Sequence, residues 1–205
     1  MAKRSGVVLG AAVLALVVAN NSGGRTAAPG GGTGPAAALG LSASQAAAQR
    51  GDLAAASRAM GMLAGPGGRR HDTDCAANAF GQVRAYLART PCRSLDRLLF
   101  TIRDSRGGTI AVAVAWVDFP TAAQAREFRR IDDIWGTGQI SPLPGATAGI
   151  PNVRLSGQHY RSRREGTLAV VAEAEPVTGQ QTDALLDQLA GVAVLLPYVA
   201  PQSGK

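Results

Sequence analysis

Five arginines fall in two short stretches that echo each other. Residues 103–112 read RDSRGGTIAV and residues 161–170 read RSRREGTLAV, so Arg103 and Arg106 are answered by Arg161 and Arg164, with Arg163 alongside. A guanidinium is a planar fork that gives two parallel hydrogen bonds to a phosphate or carboxylate. Two such clusters suit an anion, and Arg103, Arg106, Arg161, Arg163 and Arg164 are the expected anion-binding set. Hairpin turns also require polar residues, so the same arginines can be plain turn chemistry.

Carboxylates offer a second chemistry. Glu173 and Glu175 fall on one face of an expected strand, and with Asp118 they could form the paired acids of a glycoside hydrolase. A solvated strand face balanced by arginine accounts for them equally simply. His71, Asp72 and Asp74 crowd the stretch HDTDC, where helix capping explains the acids directly. Trp135, in the Gly-containing segment DDIWGTGQI, is either packing against the core or a recognition aromatic.

Much else is excluded. Lysine occurs only at Lys3 and Lys205, which removes a lysine nucleophile or phosphate-binding lysine from the body of the chain. There is no Walker A pattern, no strand-then-GxGxxG fingerprint, no G-x-S-x-G elbow and no H-E-x-x-H helix. Only two histidines exist, too few for a multi-histidine metal site, and two cysteines without a supporting histidine cluster are too few for a structural zinc site. No cofactor, metal or catalytic residue is therefore assigned, and nucleic acid is not an expected partner. The net charge of +7 comes almost wholly from arginine, and such a surface attracts anionic polymers or lipid head groups.

The elements that must position these residues follow from periodicity. A helix over about 78–89 carries Phe80, Val83 and Leu87 at helical spacing before Thr90-Pro91 stops it. Leu98–Ile102 and residues 109–119 read as strands around the turn DSRGG, and in the second strand Ile110, Val112, Val114 and Trp116 face one way while Ala111, Ala113 and Ala115 face the other. A helix opens at Pro120-Thr121. The plan then repeats: a strand in 152–164 interrupted near Ser156-Gly157, a strand over 167–177, and a helix from Thr182. The expected fold is α+β, a four-stranded antiparallel sheet from two strand–strand–helix units, with helices mainly on the Trp116 face and one helix preceding it. The alanine face is then solvated or open to a partner.

Lys3 and Arg4 precede the uncharged run GVVLGAAVLALVVA, residues 6–19, which has the make-up of a signal peptide or N-terminal anchor. Residues 20–41 read as a Gly/Ala/Pro linker, 42–71 as an Ala-rich marginal helix and linker, 72–200 as the globular domain, and 201–205 as a tail. An exported chain with two cysteines favours a disulfide between Cys75 and Cys92. A helix running the whole way between them would hold their ends roughly 25 Å apart. Bridging brings Cα atoms to about 4.4–6.8 Å, so the helix must be shorter and its flanks must fold back.

The segments DCAANAFGQVRAYLARTPCRSLDRLLF, AVAVAWVDFP, GTGQI and HYRSRREGTLAVVAEAEP resemble a family of exported actinobacterial proteins of unknown function, over roughly residues 74–196. The resemblance implies one domain holding the cysteine-flanked helix and both hairpins, and brings no activity with it. The expectation is an extracytoplasmic domain, secreted or tethered to the cell membrane, that binds rather than catalyses. Its alternatives are a carboxylate-dependent extracytoplasmic hydrolase and a structural or sensory partner of another membrane protein.

Overall fold

A computed structural model of the chain describes residues 35–199. The signal or anchor segment and the tail from 201 lie outside the described residues. Among those described, no helix is long and apolar enough to cross a membrane.

The described residues form a mixed architecture of five helices and a five-stranded antiparallel sheet. Two helices come first, α1 (Pro35–Gln49) and α2 (Leu53–Ala59), then strand β1 (Leu63–Asp72) and helix α3 (Gly81–Arg89). Strands β2 (Ser94–Arg103) and β3 (Thr109–Asp118) form the first hairpin, followed by α4 (Ala122–Asp132). A long segment with one 3-10 turn (Gly145–Ala148) leads to the second hairpin, β4 (Tyr160–Glu165) and β5 (Leu168–Thr178), and then α5 (Asp183–Ala193). The strand order is β1-β2-β3-β5-β4.

Strand β1 is the element that sequence periodicity does not reveal, and it makes the sheet five-stranded where four were expected. Its residues LAGPGGRRHD lack apolar alternation because it is an exposed edge strand paired with β2 on one side only. Residues 65–70, read as a break between linker and domain, therefore belong to the sheet. A side chain on Gly67 would meet Phe100 and the Leu99 carbonyl, so this close approach requires glycine. Helix α1 likewise begins at Pro35, inside the expected linker. Ala47, Ala48, Ala56 and Met62 join the core over β2 and β3, so the two N-terminal helices are part of the domain.

The central strands alternate as expected. Ile110, Val112, Val114 and Trp116 pack with Val170, Ala172 and the α5 residues Leu186, Leu189 and Ala190. Trp116 donates from its indole to the Leu196 carbonyl at 3.1 Å, which satisfies the one polar atom of a side chain 2% exposed. The alanine face is not open to solvent. Ala115, Val117 and Ala169 lie under α3 and α4 with Phe119 and Phe128, and Ala111 lies under Leu143 and Ala148.

The two hairpins are thus not copies related by a twofold axis. Val114 and Ala172, equivalent positions of the apparent repeat, are cross-strand partners near the centre of the sheet. An axis through them would carry both following helices to the same face. Instead α4 packs on the alanine face and α5 on the Trp116 face. The turns differ as well: Asp104 closes the first by accepting from the backbone of Arg106 and Gly108 at 2.9 and 2.7 Å, whereas the second is the two-residue turn Gly166-Thr167, where the Arg164 side chain donates to the Gly166 carbonyl.

Cys75 and Cys92 form the disulfide, with Cα atoms 6.2 Å apart. The geometry is met as expected, because α3 occupies only Gly81–Arg89 and both flanks turn back.

Candidate functional site

The five arginines do not meet. Because β3 and β5 are antiparallel, the two hairpin turns lie at opposite ends of the sheet. The first turn adjoins Thr178, and the second adjoins Asp118 and Phe119. A ten-residue strand separates them by about 30 Å. Arg103 and Arg106 are exposed at one end. At the other, Arg163 donates to the Val194 and Leu196 carbonyls at 2.6 and 3.2 Å, closing the C-terminal end of α5. Arg161 pairs with Asp187 at 3.2 Å, and Arg164 donates to the Gly166 carbonyl at 2.8 Å. The five arginines thus form no single surface: Arg161, Arg163 and Arg164 are engaged within the chain, and Arg103 and Arg106 stand exposed at the other end.

The carboxylate trio also separates. Asp118 accepts from Thr167 at 2.7 Å and pairs opposite Leu168, five residues along β5 from Glu173. That interval is about 17 Å of strand, beyond the roughly 5–9.5 Å at which two carboxyls share a glycosidic bond. HDTDC divides too, since His71 reaches Asp96 at 2.9 Å while Asp72 pairs with Arg97 at 2.8 Å across the other face. Asp74 caps the turn at Ala77, not α3.

A different cluster forms on the alanine face, where small side chains leave room. Here the segment after α4 is zipped to the chain before α3. Phe80 donates to the Gln139 carbonyl at 3.1 Å, Gln82 to Thr137 at 2.6 Å, and Ser141 to Asn78 at 2.8 Å. Gly81 and Gly138 both have positive φ, and a Cβ on either would strike the other segment's backbone. Thr137 fastens the end of α4 by donating toward the Ile131 and Ile134 carbonyls.

This zipper leaves Phe80 48% exposed and Trp135 76% exposed on the rim of one cleft. Phe80 was expected as a helix anchor and does not have that role in the fold, while Trp135, for which packing and recognition were both open, is exposed. The cleft has a volume of about 360 Å³, and its remaining walls come from Asp132, Asp133, the turn Leu155–Gln158 and Tyr160. It contains no Arg, Lys or His among the residues that line it.

Past Asp132, Gln139 and Tyr160 the cleft adjoins an inner pocket of about 30 Å³, floored by Ala113, Ala115 and Val171. Arg97 and Glu173 also line this inner pocket. Glu173 is only 6% exposed, which replaces its expected solvated position. It accepts from the Gly157 backbone and from the Gln139 side chain, while Glu175 accepts from Ser156 through both backbone and hydroxyl. The two glutamates hold the turn at 156–157 against the sheet. Burial pushes the Glu173 carboxyl up to about 7, opposed by the Gly157 hydrogen bond and reinforced by neighbouring Glu175.

Asp132 is equally buried and accepts from the Tyr160 hydroxyl at 2.6 Å. Burial pushes its carboxyl up to about 6, with the Tyr160 hydrogen bond opposing and Asp133 adding to the rise. Tyr160 is held well above the ordinary phenol value, first by burial and then by the charge of Asp132. Asp133 is tied down by Arg129 at 3.1 Å and by Ser162. Two polar atoms beside the inner pocket have no hydrogen-bond partner, Asp132 Oδ1 and Arg97 Nε. The other guanidinium nitrogens of Arg97 are occupied by the Ser141 carbonyl and Asp72.

Trp135 and Glu173 each carried a signal in the sequence, but as separate features, and Phe80 carried only that of a helix anchor. Asp132, Gln139, Tyr160 and Arg97 were not singled out, because their meeting depends on the zipper between residues 78–82 and 137–141. Comparison with protein-family models, with curated proteins and with solved structures finds no match to this chain.

Proposed function

We propose that the chain is an extracytoplasmic binding domain, exported and secreted or membrane-tethered through its N-terminal apolar segment, whose ligand enters the cleft beneath Trp135. The observation that carries the reading is an indole 76% exposed over a cleft floored by buried carboxyls. Small-ligand sites are concave and combine aromatic or apolar walls with a few placed polar groups, and this cleft has both in Phe80, Ile134 and Trp135 on one side and Asp132, Gln139 and Tyr160 on the other. The disulfide supports export, since such bonds persist in oxidising compartments. Binding without catalysis is supported by how fully the carboxyls are engaged. Both oxygens of Glu173 and one of Asp132 serve the chain itself.

The acidic lining also selects the ligand class. The expected anionic polymer or lipid head group would meet Asp132 and Asp133 with no cation lining the cleft, so a neutral or hydrogen-bonding ligand fits better. A membrane-protein partner seated on the alanine face is disfavoured, because α3, α4 and the segment after α4 already cover it.

Two measurements test the proposal. Amide shift mapping with a library of small polar fragments is expected to concentrate perturbations at 132–139 and 155–160. Shifts scattered over the surface, or gathered at the arginine-bearing turns, would refute the site. Cell fractionation is expected to find the chain outside the cytoplasm.

A further inference from the structure

We infer that the cleft takes a quaternary ammonium group, a cation sheathed in methyls, against the rings of Trp135 and Phe80. This rests on the reading of the cleft as a binding site and specifies its ligand. The acidic lining that disfavours an anion, and tolerates a neutral ligand, suits a cation best. Asp132 and Asp133 line the cleft together with Phe80, Trp135 and Tyr160, and no Arg, Lys or His lines it. Glu173 and Glu175 stand behind its wall, accepting from Gly157 and Ser156. Arg129 pairs with Asp133 at 3.1 Å, but it is not among the lining residues. After burial itself, the charges that act on Asp132, Tyr160 and Glu173 are those of other carboxylates. Asp133 acts on the first, Asp132 and Asp133 on the second, and Glu175 and Asp132 on the third. Each opposes further negative charge, so the cleft's field is negative and the chain supplies no cation to relieve it.

The aromatic rings are a second, independent feature. On the other face of the sheet, Trp116 and Tyr198 already have a cation, with the Arg69 guanidinium 5.1 and 5.9 Å from their ring centres. Among the described residues, no cation of the chain sits over Phe80, Trp135 or Tyr160. A Cβ on Gly157 would lie 3.9 Å from Cδ1 and Nε1 of the Trp135 indole, so this exposed ring stands beside the turn that walls the cleft. An aromatic face attracts a cation within about 6 Å of its centre, most strongly where water is excluded. The degree of methylation follows from the hydrogen bonds. Asp133 accepts from Arg129, Ser162 and Tyr160, Asp132 accepts from Tyr160, and the Gln139 amide and Ser156 hydroxyl donate to Glu173 and Glu175. A primary ammonium needs an acceptor for each of its three donors, and those groups are already spent. A quaternary ammonium has no donor to satisfy; field and ring face alone hold it. The cleft's volume of about 360 Å³ lies at the small end of the range for ligand pockets.

The test titrates the purified full chain with choline, with its uncharged isostere 3,3-dimethylbutan-1-ol, and with ethanolamine, the primary ammonium of the same skeleton. Choline is expected to shift amides at 132–139 and 155–160 and to saturate below about 10 mM. The isostere fills the same volume without charge and is expected to bind about tenfold more weakly. Choline affinity by calorimetry is expected to rise from pH 5 to pH 8, as Asp132 and Glu173 lose the protons they hold up to about 6 and about 7. Trp135→Ala, an exposed position, is expected to weaken choline about tenfold or more. Asp132→Asn keeps an acceptor for Tyr160, and is expected to weaken choline while leaving the isostere unchanged. An equal loss for both probes would remove charge from the recognition and overturn the inference. Isostere binding as tight as that of choline, or ethanolamine binding tighter, would overturn the quaternary ammonium and leave the cleft as the site. Choline binding unchanged by both substitutions would put the cation elsewhere and overturn the inference too. No saturation by choline, with fragments still mapping to the cleft, would overturn the ammonium assignment alone; fragments that fail to map there would overturn the cleft itself.

Discussion

The two faces of one sheet are built on different terms. On the Trp116 face, Ile110, Val112, Val114 and Trp116 are large enough to meet α1, α2 and α5 directly, and the contact is apolar except at the Trp116 end, where buried Asp96 pairs with Arg69 and His71. On the opposite face the same strand offers Ala111, Ala113 and Ala115. Those small side chains leave depth that α3 and α4 fill only near one end. The remainder is covered by the irregular segment after α4, whose Gln139 lines one pocket with Asp132 at the end of α4, Tyr160 at the start of β4, Arg97 and Glu173. A period-two strand with unequal side-chain sizes thus yields a closed core on one side and a polar recess on the other. The recess exists because alanine leaves room for it.

Breaking the large-residue face should have the greatest effect on stability. Trp116→Ala removes a fully buried indole and its hydrogen bond to Leu196, with an expected loss of about 3–5 kcal/mol. Urea denaturation at neutral pH measures it; a loss below about 1 kcal/mol would mean that this face is not the main core. Next in size is the disulfide, which anchors α3 on the alanine face. The double variant Cys75→Ala/Cys92→Ala releases a loop of separation 17, for an expected loss of about 3 kcal/mol. An unchanged midpoint in denaturant would show that α3 is held without it.

The alanine face should also impose an unusual pH dependence. The carboxyls of Asp132 and Glu173 are raised in the fold to about 6 and about 7. Between their ordinary values and these, the native state holds protons that the unfolded chain has lost. Their contribution to stability is therefore full below about pH 4 and is lost as pH rises through 6 to 7. Stability is expected to be lower at pH 8 than at pH 5. Glu173→Gln should flatten that difference by about 2 kcal/mol while making the protein more stable at pH 8. Denaturation curves at the two pH values check it, and an undiminished pH dependence in the variant would remove Glu173 from the effect.

The same contrast explains what could be read from the chain. Alternation in TIAVAVAWVD assigned the core face because apolar burial follows the strand period. Thr121 and Thr182 marked helix starts because a side-chain cap is a local device, and each accepts a backbone N–H at the start of its helix. The disulfide was legible because two cysteines and the length between them leave few options. Strand β1 was not legible, since an edge strand with Pro66, Gly67 and Gly68 is defined by its partner's backbone. The duplication misled because similar turn and strand chemistry at Arg103–Val112 and Arg161–Val170 says nothing about the face to which the next helix crosses. The cleft stayed hidden for a related reason: backbone pairing between distant segments has no periodicity to betray it.

The smallest effect on stability is expected where the proposed function is concentrated. Trp135 has three-quarters of its surface in solvent and contributes little burial to the fold. Trp135→Ala should therefore change folding free energy by no more than about 0.5 kcal/mol, even though tryptophan is the largest side chain in the chain. Trp116→Ala is the same substitution on the other face, so the pair measures directly what burial adds. A stability loss at Trp135 approaching that at Trp116 would make its indole a packing element and withdraw it from the cleft's rim. A neutral effect on folding, with loss of fragment binding at 132–139, would separate the face that holds the molecule together from the face that is free to bind.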